Sequence, residues 1–333
     1  MSSSKLTTVY GLLLKPDSAY RAGDSVSAAT DGILMASPAI MTRGHVNDGS
    51  RGLSPSGMAP LKRAAPSGKT ASPPVPVEFR GSGQAYASGV KADDLHSLMR
   101  IAGYGAVVDA TASAEKWTFT PEGWDSAVPP TFASGVGELY GRGEMIPLEG
   151  AYASMGFEIE AGGIALFTFD VQGVPGNKSE TALPSITYMD MNVIPPKFDA
   201  PALTLGNFTG AKVRSVRFAQ NREITTRSIH GYAAGRRAPE LVVEIEAASL
   251  ATSSPWSTAS TFEPDRLRDE GTAIAVGFTH GSLQYNRFDF AAPAAVIRNV
   301  EDGEDGPVAT TILTMELCST DGVSADDHTI VLD

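Results

Sequence analysis

Cysteine is nearly missing: Cys318 stands alone among 333 residues, so no intrachain disulfide can form. A disulfide-stapled scaffold is excluded, and nothing points to an oxidising compartment. Long apolar runs are also missing. No stretch approaches the length of a membrane-crossing helix, and "MSSSKLTTVYGLLLKPDSAY" has too short an apolar core for a secretory signal. The expectation is a protein made in a cytoplasm, with no membrane partner. Cations are in deficit, with 26 Lys and Arg against 38 Asp and Glu, for a formal charge of −12. Such a surface repels nucleic acid, because duplex binding needs cations that displace condensed counterions. A surface that DNA slides past without sticking remains compatible with it.

Recognisable chemistry is scarce as well. His45, His96, His230, His280 and His328 are scattered, and none has a metal-type neighbour at close spacing. HExxH, CxxC and GxSxG do not occur. His96 falls within an amphipathic helical pattern, where a structural role is expected. "GVGELYGRG" (135–143) is glycine-rich without a following helix signal, so a turn entering a strand fits better than a phosphate loop. "EDGEDG" (301–306) lacks the spaced ligands of a calcium loop and reads as a polar hairpin turn. No metal, cofactor or catalytic set is expected.

Glycine and proline are plentiful, at 34 and 22 residues, which favours many turns and short strands over long helices. The clearest pattern is "EGAYASMGFEIEAGGIALFTFDVQG", residues 149–173. Phe157, Ile159 and Ala161 alternate with Glu158 and Glu160. Beyond Gly162-Gly163, Phe167, Phe169 and Val171 alternate with Thr168, Asp170 and Gln172. A period of two places each set on its own face, and two such runs joined by a glycine pair read as a hairpin. One face is apolar and the other acidic and polar.

Residues 1–74 read as an extended arm or loop region. Within it "DGSRGLSPSGMAPLKRAAPSGKTASPP" combines Gly, Pro and Ser with cations and few large apolar residues. Then comes a strand at 75–83 and a helix at 91–103, with Leu95, Leu98, Met99 and Ala102 on one side and Gly103 beyond its end. Strands are expected at 115–120, 138–148, 152–161 and 164–173, and a Pro-punctuated connector leads to a boundary near 195–204. The second half repeats the order: a strand at 239–249, a short helix at 263–271, then strands at 273–279, 283–290, 294–300 and a closing strand over "VATTILTMEL". The expectation is mainly β, with a first β domain over 75–195 and a duplicate over 196–333.

The succession "PVPVEFRGSG", "LHSLMRIAGYG", "WTFTP" and "IPLEGAYASMGFEIEAGGIALFTFDVQG" resembles the tail tube proteins of long-tailed, non-contractile phages. In that family a strand leads to an amphipathic helix ending in glycine, then to an "L-x-G-A" strand and an "aG-x-x-a-x-F-x-F-x-G" hairpin. Leu148, Gly150, Ala151 and Ser154 stand at the first pattern, and Gly162, Phe167, Phe169 and Gly173 at the second; Ala153 replaces a frequent glycine. The likeness covers about 75–175, and 205–318 shares its style only. It implies a β-barrel or sandwich subunit with a flanking helix, closing into rings that stack into a conduit for DNA. A duplicated chain would close a pseudo-six-fold ring as a trimer, and an unduplicated one as a hexamer. It also implies the tail terminator, tape measure and distal tail proteins as partners, and transient passage of DNA. In this setting the hairpin strands would pair with those of neighbouring subunits, and Glu158, Glu160, Thr168, Asp170 and Gln172 would line the lumen. The alternatives are another virion component (a tail terminator or decoration protein) or a β-sandwich carbohydrate-binding protein, which should expose a cluster of tryptophans.

Overall fold

The computed structural model describes residues 7–47, 66–83, 94–109, 116–123, 132–188, 192–198, 203–209, 211–226, 232–247, 262–322 and 325–333. In chain order the first elements are β1 (Thr7–Val9), β2 (Gly11–Pro16), β3 (Gly32–Ile33), β4 (Ala39–Asn47), β5 (Pro66–Ser72) and β6 (Pro74–Glu78). Then come α1 (Asp94–Ile101), the hairpin β7 (Tyr104–Asp109) and β8 (Lys116–Pro121), and the meander β9 (Gly135–Gly141), β10 (Glu144–Glu160) and β11 (Leu166–Pro175). The connector carries β12 (Ser179–Glu180) and β13 (Thr204–Leu205), followed by β14 (Val213–Ala219) and the small hairpin β15 (Ile224–Thr226) with β16 (Tyr232–Ala234). The last elements are β17 (Glu240–Glu246), α2 (Pro264–Glu270), β18 (Ala273–Leu283), β19 (Asn286–Asp305), β20 (Val308–Cys318) and β21 (Thr329–Leu332). The molecule is mainly β and antiparallel, as expected. Among the described residues no helix is long and apolar enough to cross a membrane.

Both helices follow from local signals. Leu95, Leu98, Met99 and Ala102 are all buried, and Gly103 takes φ 84, the left-handed conformation that stops α1. In α2, Pro264 fills the first turn, where its missing N–H costs nothing, and Gly271 closes the helix at φ 62.

The strands depart from the expected pattern in specific places. The 138–148 run is not one strand: Arg142 and Gly143, both at positive φ, make a two-residue turn between β9 and β10. β10 then continues unbroken through 152, with a bulge where Gly150 takes φ 56. Likewise 283–290 and 294–300 are parts of one long β19. Ala161 lies in the exposed turn after β10 and not on the buried face.

Within the arm assigned to 1–74, the described residues include the strands β1 to β5. Leu12, Leu13 and Leu14 of β2 are buried, and β2 pairs with β9 from Gly11↔Tyr140 to Pro16↔Gly135. An apolar triplet of this kind stabilises an interior strand more than it stabilises a solvated arm. β4 and β5 pair as a hairpin; the stretch 48–65 between them lies outside the described residues.

One antiparallel order occurs twice. β11 returns to β6 after the meander, giving β2–β9–β10–β11–β6. β20 returns to β17 in the same way, giving β13–β18–β19–β20–β17. β14 joins the two, pairing with β10 on one side and β17 on the other. The sheet folds over on itself so that its apolar faces meet. Phe157 of β10 lies 5.3 Å from Phe167, 5.2 Å from Phe218, and within 5.6–6.0 Å of Phe278, Phe288 and Phe290 from β18 and β19. The halves therefore share one core. Phe157→Ala should lower unfolding free energy by about 3–5 kcal/mol. Urea unfolding followed by fluorescence and by circular dichroism should stay a single coincident transition; separate transitions for the halves would contradict a shared core.

Candidate functional site

The polar face expected from the sequence belongs to β10 and β11. Register places Phe157 opposite Phe167, Gly156 opposite Thr168, Ser154 opposite Asp170 and Tyr152 opposite Gln172. Glu158, Glu160, Thr168, Asp170 and Gln172 therefore share the face opposite the phenylalanines. Glu160 and Asp170 are exposed, and Glu158 and Thr168 are half-buried. Gln172 is half-buried as well. Its partner Tyr152 is buried and stacks on Tyr20, whose hydroxyl accepts the Tyr232 N–H at 2.9 Å. Tyr20 thus covers Tyr152, the cross-strand neighbour of Gln172.

Sequence reasoning missed the cation in this face. Arg217 of β14 lies directly opposite Glu158 and donates from Nε at 2.6 Å. The alternation Val216, Arg217, Phe218 in "KVRSVRFAQ" carried the signal, but its cations masked the strand. The face continues across β14, β17, β20 and β19 with further neutralised pairs: Arg214 with Glu246 at 3.2 Å, and Arg298 with Glu316. Glu244 accepts from Ser215 at 3.3 Å and Thr310 at 2.7 Å. Glu160, Asp170 and Glu240 have no cation partner among the described residues. Carboxylates outnumber cations, so the face is acidic but locally compensated. The exposed pairs add little stability, at most about 1 kcal/mol each.

β10 and β11 are not edge strands. β10 is flanked by β11 and β14, and β11 by β10 and β6, so neither is free to pair with a neighbouring subunit. Free edges lie elsewhere. At β6, Val75 and Val77 face β11, while Pro74 and Pro76 have no N–H to offer outward, and the Pro76 carbonyl accepts from Ala36 at 2.9 Å. That edge is blunted. At the other end, β18 stops opposite Val296, and β19 continues beside β20 alone to Asp305↔Val308. With a two-residue turn at Gly306-Pro307, Val300, Asp302 and Glu304 turn their backbone groups away from β20. This stretch is open and acidic.

Away from this face lies a buried polar chain. The Tyr104 hydroxyl sits 2.7 Å from Nε2 of His328, and His328 Nδ1 lies 2.9 Å from Asp327. Arg237 grips the Asp327 carboxylate with two nitrogens and donates to the Glu122 carbonyl at 2.9 Å. Arg100 donates to Glu122 Oε1 at 3.0 Å and to the Tyr104 carbonyl at 2.6 Å. Burial alone would raise the Asp327 carboxyl, but the bonds from His328 and Arg237 outweigh it and hold it well below the usual carboxylate range. Burial pushes the His328 imidazole down, which keeps it neutral, and both its nitrogens are engaged. With no exposed surface on His328, the set ties β7, the segment just ahead of β17 and residues 327–328 together.

No protein-family model and no curated protein matches the chain. Among the described residues no group of three or more His, Cys, Asp or Glu is placed to hold a metal ion. Of the tryptophans that a sugar-binding surface would expose, Trp117 is buried at 6% exposure; Trp124 and Trp256 lie outside the described residues.

His280 supplies a pH test. It is buried among Phe79, Phe198 and Phe288, and burial lowers its imidazole to about 4 from 6.5. A depressed folded value means that stability is present above pH 6.5 and is lost as pH falls toward 4. Between pH 7 and pH 5 the loss from His280 should be roughly 2 kcal/mol. Urea unfolding of His280→Leu should show a correspondingly shallower decline over that interval. Equal slopes for parent and variant would show that His280 is not held neutral.

Proposed function

We propose that this chain is a virion structural protein, the tail tube subunit of a long-tailed phage, without catalytic activity. One observation carries the reading: a single continuous sheet buries its phenylalanine face and turns an acidic, polar face outward across β11, β10, β14, β17 and β20. In a ring of such subunits the outward face becomes a bore. Fixed carboxylates repel phosphates, so DNA passes without being held. Glu158, Glu160, Thr168 and Asp170 line the bore. The salt bridges to Arg217 and Arg298 keep its field moderate rather than strongly repulsive.

The recurrence of one strand order on either side of β14 supports a duplicated unit, so that three chains close a pseudo-six-fold ring. Closed rotational symmetry satisfies each lateral contact with identical partners. Lateral pairing falls to the open stretch of β19, not to β10 and β11. Rings stacked on this plan meet a tail terminator at one end and distal tail proteins at the other, with a tape measure inside during assembly. The subunit is assembled in the host cytoplasm and resides in the tail.

Charge reversal at the bore tests this. Glu158→Lys with Glu160→Lys places two new cations beside Arg217 on an exposed face, so folding stability should change by no more than about 1 kcal/mol. Particles built with the double variant should still assemble, and their DNA delivery, followed by release kinetics, should slow. Delivery at the parental rate from correctly assembled particles would remove this face from the bore.

A further inference from the structure

We infer that the C-terminal segment Asp327–Asp333 is a strap that opens separately from the rest of the fold and closes the gap between β8 and β19. β21 lies antiparallel between those two strands. Ile330, Val331 and Leu332 pair with Phe119, Thr118 and Trp117, and Thr329 to Leu332 pair with Ala291 to Phe288. Among the described strands β8 pairs only with β7 and β21. The β7–β8 hairpin therefore joins the sheet through the strap alone. Each flanking strand keeps a ladder without it: β8 keeps β7, and β19 keeps β18 and β20. Losing β21 breaks two short ladders and leaves the remainder paired, which is the condition for sub-global opening.

The strap is pinned mainly at its ends. Ahead of β21 stands the buried chain of Asp327, His328, Tyr104 and Arg237. Beyond it, Arg287 and Asp333 exchange backbone hydrogen bonds of 3.0 Å in both directions, and the Arg287 guanidinium reaches the Asp333 carboxylate. Between the pins only Ile330 and Leu332 bury apolar side chains. In the link before the strap, Ser319 bonds Asp321 and Thr320 bonds Asp326, contacts that can travel with the strap rather than hold it down.

With the strap away, β8 and β19 face each other across two strand spacings, about 9–10 Å, a slot one strand wide. The slot's occupant is β21 of the same chain, whose alternation of buried Ile330 and Leu332 with half-buried Thr329 and Val331 fits it. Shutting the slot hides two strand edges that would otherwise invite indiscriminate pairing in a chain that already carries one open edge on β19. None of this depends on the tube reading.

Native-state hydrogen exchange on the full chain tests it. Amides of β21, with those of β8 and β19 that bond to it, should exchange as one set at least about tenfold faster than amides of β10, β17 and β20. Arg287→Met, which releases the C-terminal pin, should accelerate that set and leave the other strands at the parental rate. Deleting Asp333 should do the same. If the set exchanges at the rate of β10, β17 and β20 in parent and variants alike, the strand leaves only on global unfolding and there is no strap.

Discussion

The structure depends on aromatic packing between two layers of one sheet. Phe157 is surrounded by rings from its own ladder and from β18 and β19 across the core. Burial of such rings is the largest favourable contribution available to a fold with few helices, and their offset and edge-on contacts fix how the layers sit. β14 makes this arrangement possible by holding β10 and β17 in one ladder. If the rings anchor the inside, the residues between them are forced outward. The acidic face is thus a consequence of the core.

That coupling explains what could be read in advance. The β10–β11 hairpin, α1, α2, β17 and β20 carry clean alternation or helical spacing, and each forms close to where the sequence places it. β14 was not legible because Arg214 and Arg217 interrupt its apolar residues; in the sheet they face outward, opposite Glu246 and Glu158 on neighbouring strands. β21 was not legible because four residues carry too little periodicity, and its place is set by strands distant in sequence. β2 was hidden by the Gly, Pro and Ser around it. Of the candidate face, Glu158, Glu160, Thr168, Asp170 and Gln172 fall together on one side of the ladder, whereas the stacking of Tyr20 on Tyr152 beside Gln172 is revealed by no local pattern. The buried link from Tyr104 to His328 spans most of the chain and left no local trace at all.

Edge management runs through the molecule. Prolines blunt β6, the C-terminal strand fills the gap beside β8, and acidic residues guard the open end of β19. Among the described strands, the stretch of β19 beyond Val296 pairs with β20 alone, which leaves one long acidic edge open to a partner. The acidic face adds a second requirement on any partner arrangement, since like charges on facing surfaces oppose close contact and favour an arrangement with water and ions between them.

Electron cryo-microscopy of the protein after concentration, or of the particle that contains it, tests the tube claim most directly. The expected result is stacked rings of three chains, with Glu158, Glu160, Thr168 and Asp170 facing the bore and the β19 stretch Asn299–Asp305 at the lateral contact. Dispersed monomers at all concentrations would contradict the tube. Rings of six chains with residues 205–320 outside the inner wall would contradict the duplicated subunit.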